Sequence, residues 1–410
     1  MIAPAFRETL PAWVRIGLLS FGGPAGQIAL MQDEVVARRG WVSAESFDRG
    51  VAFSMMLPGP EAQQLATWLG WRIGGLRGGI VAGLSFIVPG AVLMIALAWV
   101  AAAHGEAPLV AALFAGVQPV VIALVLAAMR KIAGRALGGP WHWALAIAAF
   151  VAIRALGVPF PAVIAVAALA GLALPRAADV GGPAPPSPPV FRHATLTIGT
   201  TAVLIGAIFL ANRLLAGADP FDGIAALFTT AALVTFGGAY AVLPFVADQA
   251  VETYAWLSPE AMLNGLAIAE ATPGPLILVN TYAGFFAGWS VGGAIDTGVH
   301  AAVLATFYTF APSFALILAF APAVERLHDS PRIRRALAGV SAAVVGVIAN
   351  LALYLAEAAF LPGGIEDPEW AKLALFLVAL PAVFLLRVGM LGLVCGGLAA
   401  GLAMHLLGLH

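Results

Sequence analysis

The chain has 410 residues, 61% of them hydrophobic and only 10% charged, where an ordinary soluble domain carries about a quarter. Its 20 basic and 21 acidic side chains give a formal net charge of −1. No basic stripe is present to follow a phosphate backbone, so nucleic acid is excluded as a partner.

The elements can be taken in chain order. Apolar segments lie near 10–31, 48–70, 76–102, 109–129, 141–157 and 159–175. Arg7, Glu8 and Arg15 interrupt the first, which is therefore not read as a cleavable signal peptide. The stretch RAADVGGPAPPSPPVFRH, 176–193, reads as a soluble connector. The apolar segment 196–215 behind it fits one extra transmembrane helix. Six more segments follow near 224–247, 262–286, 296–321, 336–359, 371–386 and 389–408. The last four of each set read as plain spans. The expected units are a first membrane repeat (1–175), a cytoplasmic linker with its connecting helix (176–222), and a second membrane repeat (223–410).

The two halves are related. SFGGPAGQ (20–27) matches TFGGAYAV (235–242), GWVSAESF (40–47) matches AWLSPEAM (255–262), and Pro58-Gly59-Pro60 matches Pro273-Gly274-Pro275, all at an offset of 215. Pro89 and FAGV (114–117) match Pro312 and LAGV (337–340) at 223, which an eight-residue insertion explains. Matches in register over a whole chain mark an internal repeat.

Basic residues show how the repeats sit. Arg38, Arg39, Arg49, Arg72 and Arg77 surround the first-half motifs, whereas no Lys or Arg occurs between Arg213 and Arg326. AAHGEAPL (102–109) has no Lys or Arg, and its counterpart ERLHDSPRIRR (325–335) has four. Arg130, Lys131 and Arg135 correspond to the acidic EAAFLPGGIEDPEW (357–370). Cytoplasmic loops collect Lys and Arg, so the halves are expected upside down relative to each other. The expected fold is an all-α polytopic membrane protein with two inverted-topology repeats, joined by an extra transmembrane helix.

The first two segments of each repeat carry FGG and PGP near their middles. The helices should break there, as re-entrant hairpins or as interrupted spans. Pro24, Pro60 and Pro275 are placed to reopen helices at the first helical position. Each restart presents free N–H groups and about half a positive charge, an anion site. Four converging ends would suit a small dianion. Glycine-mediated helix contacts and proline kinks are the structural alternative.

RIGLLSFGGPAGQIALM, MLPGPEAQQLATWLGWRIGGLRGG and the repeated TFGGAY…ATPGP resemble the chromate ion transporter family in its two-repeat form. The resemblance covers nearly the whole chain, with Ala239 in place of the proline after the second FGG. It implies a multi-pass protein of the bacterial inner membrane, embedded in lipid, that exports chromate and confers resistance. Sulfate is a structurally similar oxyanion, and import or exchange of it is the alternative, as is a passive anion channel. No nucleotide-binding motif is seen, so an ion gradient or the membrane potential is expected to drive transport. A homodimer is left open.

Candidate substrate-binding residues are Ser20, Gly22, Gly23, Gln27, Pro58, Gly59, Pro60, Gln63, Gln64, Thr235, Gly237, Gly238, Thr272, Pro273, Gly274, Pro275 and Asn280. Their hydroxyls and amides can donate to oxyanion oxygens, with one of Gln63 and Gln64 expected to face the cavity. Glu61 and Glu270 are candidates for proton coupling, because ionisable residues inside membrane segments are functional candidates by default. Glu61 could alternatively complement a helix dipole, and Glu270 could bond backbone across its hairpin. No cofactor or metal is expected: Cys395 is the sole cysteine, and the seven histidines lack i, i+4 pairing. No HExxH, P-loop or nucleophile elbow occurs, so the chain is not read as an enzyme.

Overall fold

A computed structural model describes residues 6–21, 23–173, 191–236, 238–323, 331–386 and 388–408. Among these residues the structure is helical, without strands. The expected linker lies outside the described residues from 176 to 190.

The first half opens with α1 (Phe6–Leu19) and α2 (Gly23–Met31), the latter continued by a π-helical turn over Gln32–Arg38. Next come α3 (Ala44–Ser54) and α4 (Glu61–His104). Gly74 and Gly75 leave helical backbone, with Gly75 at φ +62°, so α4 is a short limb and a long span joined at a kink. α5 (Pro108–Ala136), α6 (Pro140–Arg154) and α7 (Phe160–Ala173) complete the half. α8 (Phe191–Leu215) connects the halves. It lies against α9 and α13 with most of its surface open, as a helix on the lipid-facing periphery does. The second half repeats the pattern: α9 (Phe221–Val234), α10 (Ala239–Asp248) with a π-helical turn over Gln249–Thr253, and α11 (Pro259–Ala271). A 3₁₀ turn at Leu276–Leu278 leads into α12 (Val279–Trp289), followed by α13 (Ile295–Phe320), α14 (Pro331–Phe360), α15 (Trp370–Phe384) and α16 (Met390–Leu406).

Helix starts reproduce the repeat. Phe6 and Phe221, and Ala44 and Pro259, are 215 apart; Pro108 and Pro331 are 223 apart; Pro140 and Trp370, and Phe160 and Met390, are 230 apart. α4 and its counterpart α13 run antiparallel: a methyl on Gly79 would meet Leu318, and one on Gly83 would meet Phe314. Equivalent spans pointing opposite ways are what inverted repeats require.

The FGG and PGP segments form hairpins. A continuous helix would place Arg15 and Glu34 about 28 Å apart, yet their charged groups lie 3.8 Å apart. Glu34 is buried and also held by Arg39 at 2.8 Å and Arg38 at 3.8 Å, so three guanidiniums offset its desolvation. Gly50 of α3 faces the Trp68 ring of α4, and Gly265 of α11 faces the Tyr282 ring of α12. Phe228 of α9 meets Trp256 beyond α10 at 6.3 Å between ring centroids. The interrupted-span alternative is thereby set aside in favour of folded-back pairs.

The expected plain spans need one correction. α6, α7, α15 and α16 have 15, 14, 15 and 17 residues. At 1.5 Å per residue they rise about 21–26 Å, short of the roughly 30 Å hydrocarbon core. They pack as pairs on the long helix of the opposite half, α6 and α7 on α14, and α15 and α16 on α5. The contacts exchange residue for residue. A methyl on Gly171 would lie 3.0 Å from Gly339 N, and one on Gly401 would lie 3.0 Å from Gly116 N. Gly401 is 230 beyond Gly171, and Gly339 is 223 beyond Gly116. Swapping the halves thus maps this interface onto its partner, as a pseudo-two-fold axis does. Small residues let these backbones approach where no hydrophobic effect drives helices together.

Gly171→Val and Gly401→Val should each destabilise the protein by about 1–3 kcal/mol through overpacking against backbone. Thermal unfolding of the purified protein reads this. Gly199→Val on α8, where no neighbour lies within 4 Å, should leave Tm nearly unchanged.

Candidate functional site

The four hairpin tips meet across the halves. Gly59 N–H donates to the Thr235 carbonyl at 2.8 Å, and Gly274 N–H donates to the Ser20 carbonyl at 2.9 Å. These are one bond seen twice, since 59 and 274, and 20 and 235, are both 215 apart. Each PGP tip also rests on the opposite long helix. A Cβ on Gly59 would lie 2.8 Å from Ser313 Oγ of α13, and the Pro273 carbonyl crowds Gly90 of α4. Gly59 and Gly274 have φ of +119° and +100°, which only glycine adopts without strain. Four converging ends were expected; the bonds tie them two and two.

One pair joins the start of α4 to the start of α10. Pro60 is the N-cap of α4 rather than its first residue, which puts Glu61 in that place. The first backbone bond of α4 runs from Gln64 N–H to the Pro60 carbonyl, so the N–H groups of Glu61, Ala62 and Gln63 precede it. The first of α10 runs from Ala241 N–H to the Gly238 carbonyl. Glu61 Oε1 sits 3.9 Å from where a Gly238 Cβ would be. Two helix N-termini therefore share this spot with one carboxylate. The charges of Lys131 and Arg135 on α5 also reach Glu61.

The other pair joins α2 to the 3₁₀ turn before α12. Pro275 leads into that turn, and α12 begins only at Val279, later than the proline suggests. Gln27 Nε2 fastens this pair, donating to the Gly274 carbonyl at 2.7 Å and the Ser20 carbonyl at 3.2 Å. Where the first pair has Glu61, Gln63 and Gln64, this one has Leu276, Leu278 and Val279, each 215 further on. The two tips share a backbone and differ in polarity.

Most candidate donors are engaged within the protein. Ser20 Oγ donates to the Ile16 carbonyl and Thr235 Oγ1 to the Ala231 carbonyl, both at 2.5 Å. Gln64 Nε2 donates to the Pro58 carbonyl at 2.7 Å, closing the PGP turn from inside. Gln63 Nε2 donates to Thr67 Oγ1 at 2.9 Å, and its Oε1 accepts from Ser313 at 2.7 Å. Both glutamines are fully buried, so the expected division into one cavity-facing and one packed side chain is not what the structure has. Thr272 Oγ1 donates to the Ala269 carbonyl at 3.2 Å, and Asn280 Nδ2 to Thr309 Oγ1 at 3.1 Å. Gln27 Oε1, Gln64 Oε1 and Asn280 Oδ1 are buried acceptors without a donor from the described residues. Gly23 opens α2, and a Cβ there would meet nothing within 4 Å. Gly22 and Gly237 lie outside the described residues.

Glu270 is 3% exposed and accepts a hydrogen bond from the Tyr240 hydroxyl of α10, not from backbone across its own hairpin. Tyr240, Thr67, Ser313 and Thr309 escaped the sequence reading. Ser313 alone had a signal, since it follows Pro312, a residue fixed by the repeat. Gln118 of α5 joins α11 further out, donating to Asn264 Oδ1 at 2.8 Å.

The comparisons with known proteins bear on this geometry. A family model described as Chromate transporter matches residues 8–172 and 223–402, one match per half. The chain belongs to the chromate transporter family. It is 33% identical over 361 residues to a chromate transport protein of Pseudomonas aeruginosa, covering 86% of this chain and 82% of that one. A probable chromate transport protein of Synechococcus elongatus is 27% identical over 360 residues, 86% of each chain. A chromate transport protein of Cupriavidus metallidurans is 26% identical over 383 residues, covering 92% of this chain and 88% of that one. No solved structure matches the chain.

Gln64→Leu removes the donor that closes the first PGP turn and leaves the Pro58 carbonyl bare. A loss of about 1–3 kcal/mol is expected. Gln27→Leu bares the Gly274 carbonyl and takes one of two donors from that of Ser20, so it should cost at least as much. Thermal unfolding of the two purified variants side by side gives the order.

Proposed function

We propose that this protein is a secondary active transporter that exports chromate across the bacterial inner membrane and so confers chromate resistance. The relatives that carry chromate in their names cover most of the chain, which supports the substrate class. The single observation that carries the site is the meeting of the α4 and α10 N-termini beside Glu61. Free N–H groups at two helix starts, with the charges of Arg135 and Lys131 acting on Glu61 from α5, favour a small dianion without a buried guanidinium in contact with it. Gly59, Pro60 and Gly238 shape the backbone there, and Pro58, Gln63, Gln64 and Thr235 hold it in place. Ser20, Gln27, Thr272, Pro273, Gly274, Pro275 and Asn280 hold the apolar twin. One polar tip and one apolar tip give a single site rather than two.

The units remain the two repeats and the linker with α8, with the N-terminus, the 31–47 loop and the linker in the cytoplasm and the C-terminus outside. That orientation follows from the basic loops of the first half. The α1–α2 and α3–α4 hairpins then enter from the cytoplasm, and α9–α10 and α11–α12 from outside. The site sits where hairpins from opposite faces touch, which suits alternating access around a midplane site.

Inverted membrane vesicles test the function. Chromate should accumulate uphill inside them under an imposed gradient and only equilibrate without one. Equilibration alone under every gradient indicates a channel, and efflux indicates an importer.

Glu61 has a defined part in this scheme. Its carboxylate occupies the ground that a dianion needs, so losing its charge should favour substrate and link proton to anion occupancy. Glu61→Gln should bind chromate at least as tightly as wild type, and its uptake should respond less to a pH gradient. Equilibrium binding and vesicle flux on the same preparation check both. An unchanged response to pH reduces Glu61 to a helix-end residue.

A further inference from the structure

Glu270 and Tyr240 form a second polar contact at the tips, outside the Glu61 pair. Glu270 ends α11 and is buried; Tyr240 lies in the first turn of α10, two residues from the Gly238 that faces Glu61. The phenol hydroxyl donates to Glu270 Oε1. Among the described residues no Lys, Arg or His contacts this carboxyl. Tyr240 is its hydrogen-bond partner, and among the described residues no salt bridge reaches it from α4, α5, α12, α14 or α16, which pack against α11; α12 carries no charged side chain. The pair has no twin, because Ala25 and Met55 stand at the equivalent positions of the first half. Helix packing at this point therefore needs neither group. Tyr240 is only partly buried, whereas Glu270 is closed off, and the tyrosine's backbone belongs to the first turn of α10, whose N-cap is Gly238.

We propose that Tyr240 is a substrate-binding residue whose availability is set by the protonation of Glu270. An ionised Glu270 keeps the phenol hydroxyl for itself. When Glu270 takes up a proton on a carboxylate oxygen, its hold on the hydroxyl weakens. The hydroxyl then turns to donate to an oxyanion oxygen held at the starts of α4 and α10. Apart from the O–H bond formed when Glu270 is protonated, no covalent bond changes, and the proton stays on Glu270 while the anion is bound. Proton and anion thereby favour each other's binding, a reciprocal linkage. The inference rests on the oxyanion site proposed above and adds a residue and a coupling route to it.

The test is a double-mutant cycle on chromate affinity, measured on the full-length purified protein at one fixed pH, so that protonation of chromate itself cancels. Tyr240→Phe removes the donor and should weaken binding about tenfold to a hundredfold, the worth of a hydrogen bond to a charged group. Glu270→Gln mimics the uncharged carboxyl and should bind more tightly than wild type. The double variant should match Tyr240→Phe, because the glutamate acts only through the tyrosine. Thermal unfolding of each variant confirms that it is folded. If Glu270→Gln tightens binding equally with or without Tyr240, or if both single variants shift affinity the same way, the proposal is overturned. Absence of chromate binding by wild type overturns the site reading instead, and the two failures are thus distinct.

Discussion

Backbone polar groups cannot be left unpaired in hydrocarbon, where each one costs several kcal/mol. A membrane chain that breaks four segments into eight half-helices has to satisfy that constraint many times over. This protein does so by making the two halves satisfy each other. The Gly59 N–H meets the Thr235 carbonyl, and the Gly274 N–H meets the Ser20 carbonyl. The amides of Gly59 and Gly274 find their acceptors only on the opposite half, so each half completes the other's irregular backbone. The same reciprocity governs the periphery, where the short helices of each half lie along the long helix of the other.

Symmetry supplies the frame, and its breaking supplies the chemistry. The two PGP turns share backbone geometry, positive-φ glycines and cross-half bonds. Only one is followed by Glu61, Gln63 and Gln64; the other continues with leucines and valine. Only the second half has a tyrosine and a buried glutamate at its tips. The proposed anion site with Glu61 and the Glu270–Tyr240 contact thus lie on different copies of the repeated hairpin pair, brought together because the halves interlock. Glu34 shows the contrasting use of a buried carboxylate: three arginines hold it, and its work is to pin a hairpin shut.

The repeat, the inversion and the broken helices were legible because each leaves a mark on the chain itself. Proline and glycine triplets at a fixed offset, and arginines that switch from one set of loops to the other, are local signals. What side chains do at the tips was not legible. Gln27, Gln64 and Asn280 have the chemistry of ligand donors, yet Gln64 closes its own turn, and Gln27 and Asn280 satisfy a carbonyl and a hydroxyl brought from elsewhere along the chain. A sequence shows that an amide is available and not which acceptor the fold will bring to it. Tyr240 was passed over because its partner lies 30 residues away in another helix, and Lys131 because a loop-side charge looks like any other. The short helices were read as full spans because apolar composition runs past the helix ends into the turns.

The central claim is that the oxyanion is held between the N-termini of α4 and α10, beside Glu61, and not at the apolar twin. Chromium scatters anomalously, so a diffraction data set collected at its absorption edge from crystals grown with chromate locates the ion directly. One peak is expected, within hydrogen-bonding distance of the backbone N–H groups that open α4 and α10. A peak at the Gly274 turn, or anywhere away from the hairpin tips, would contradict it.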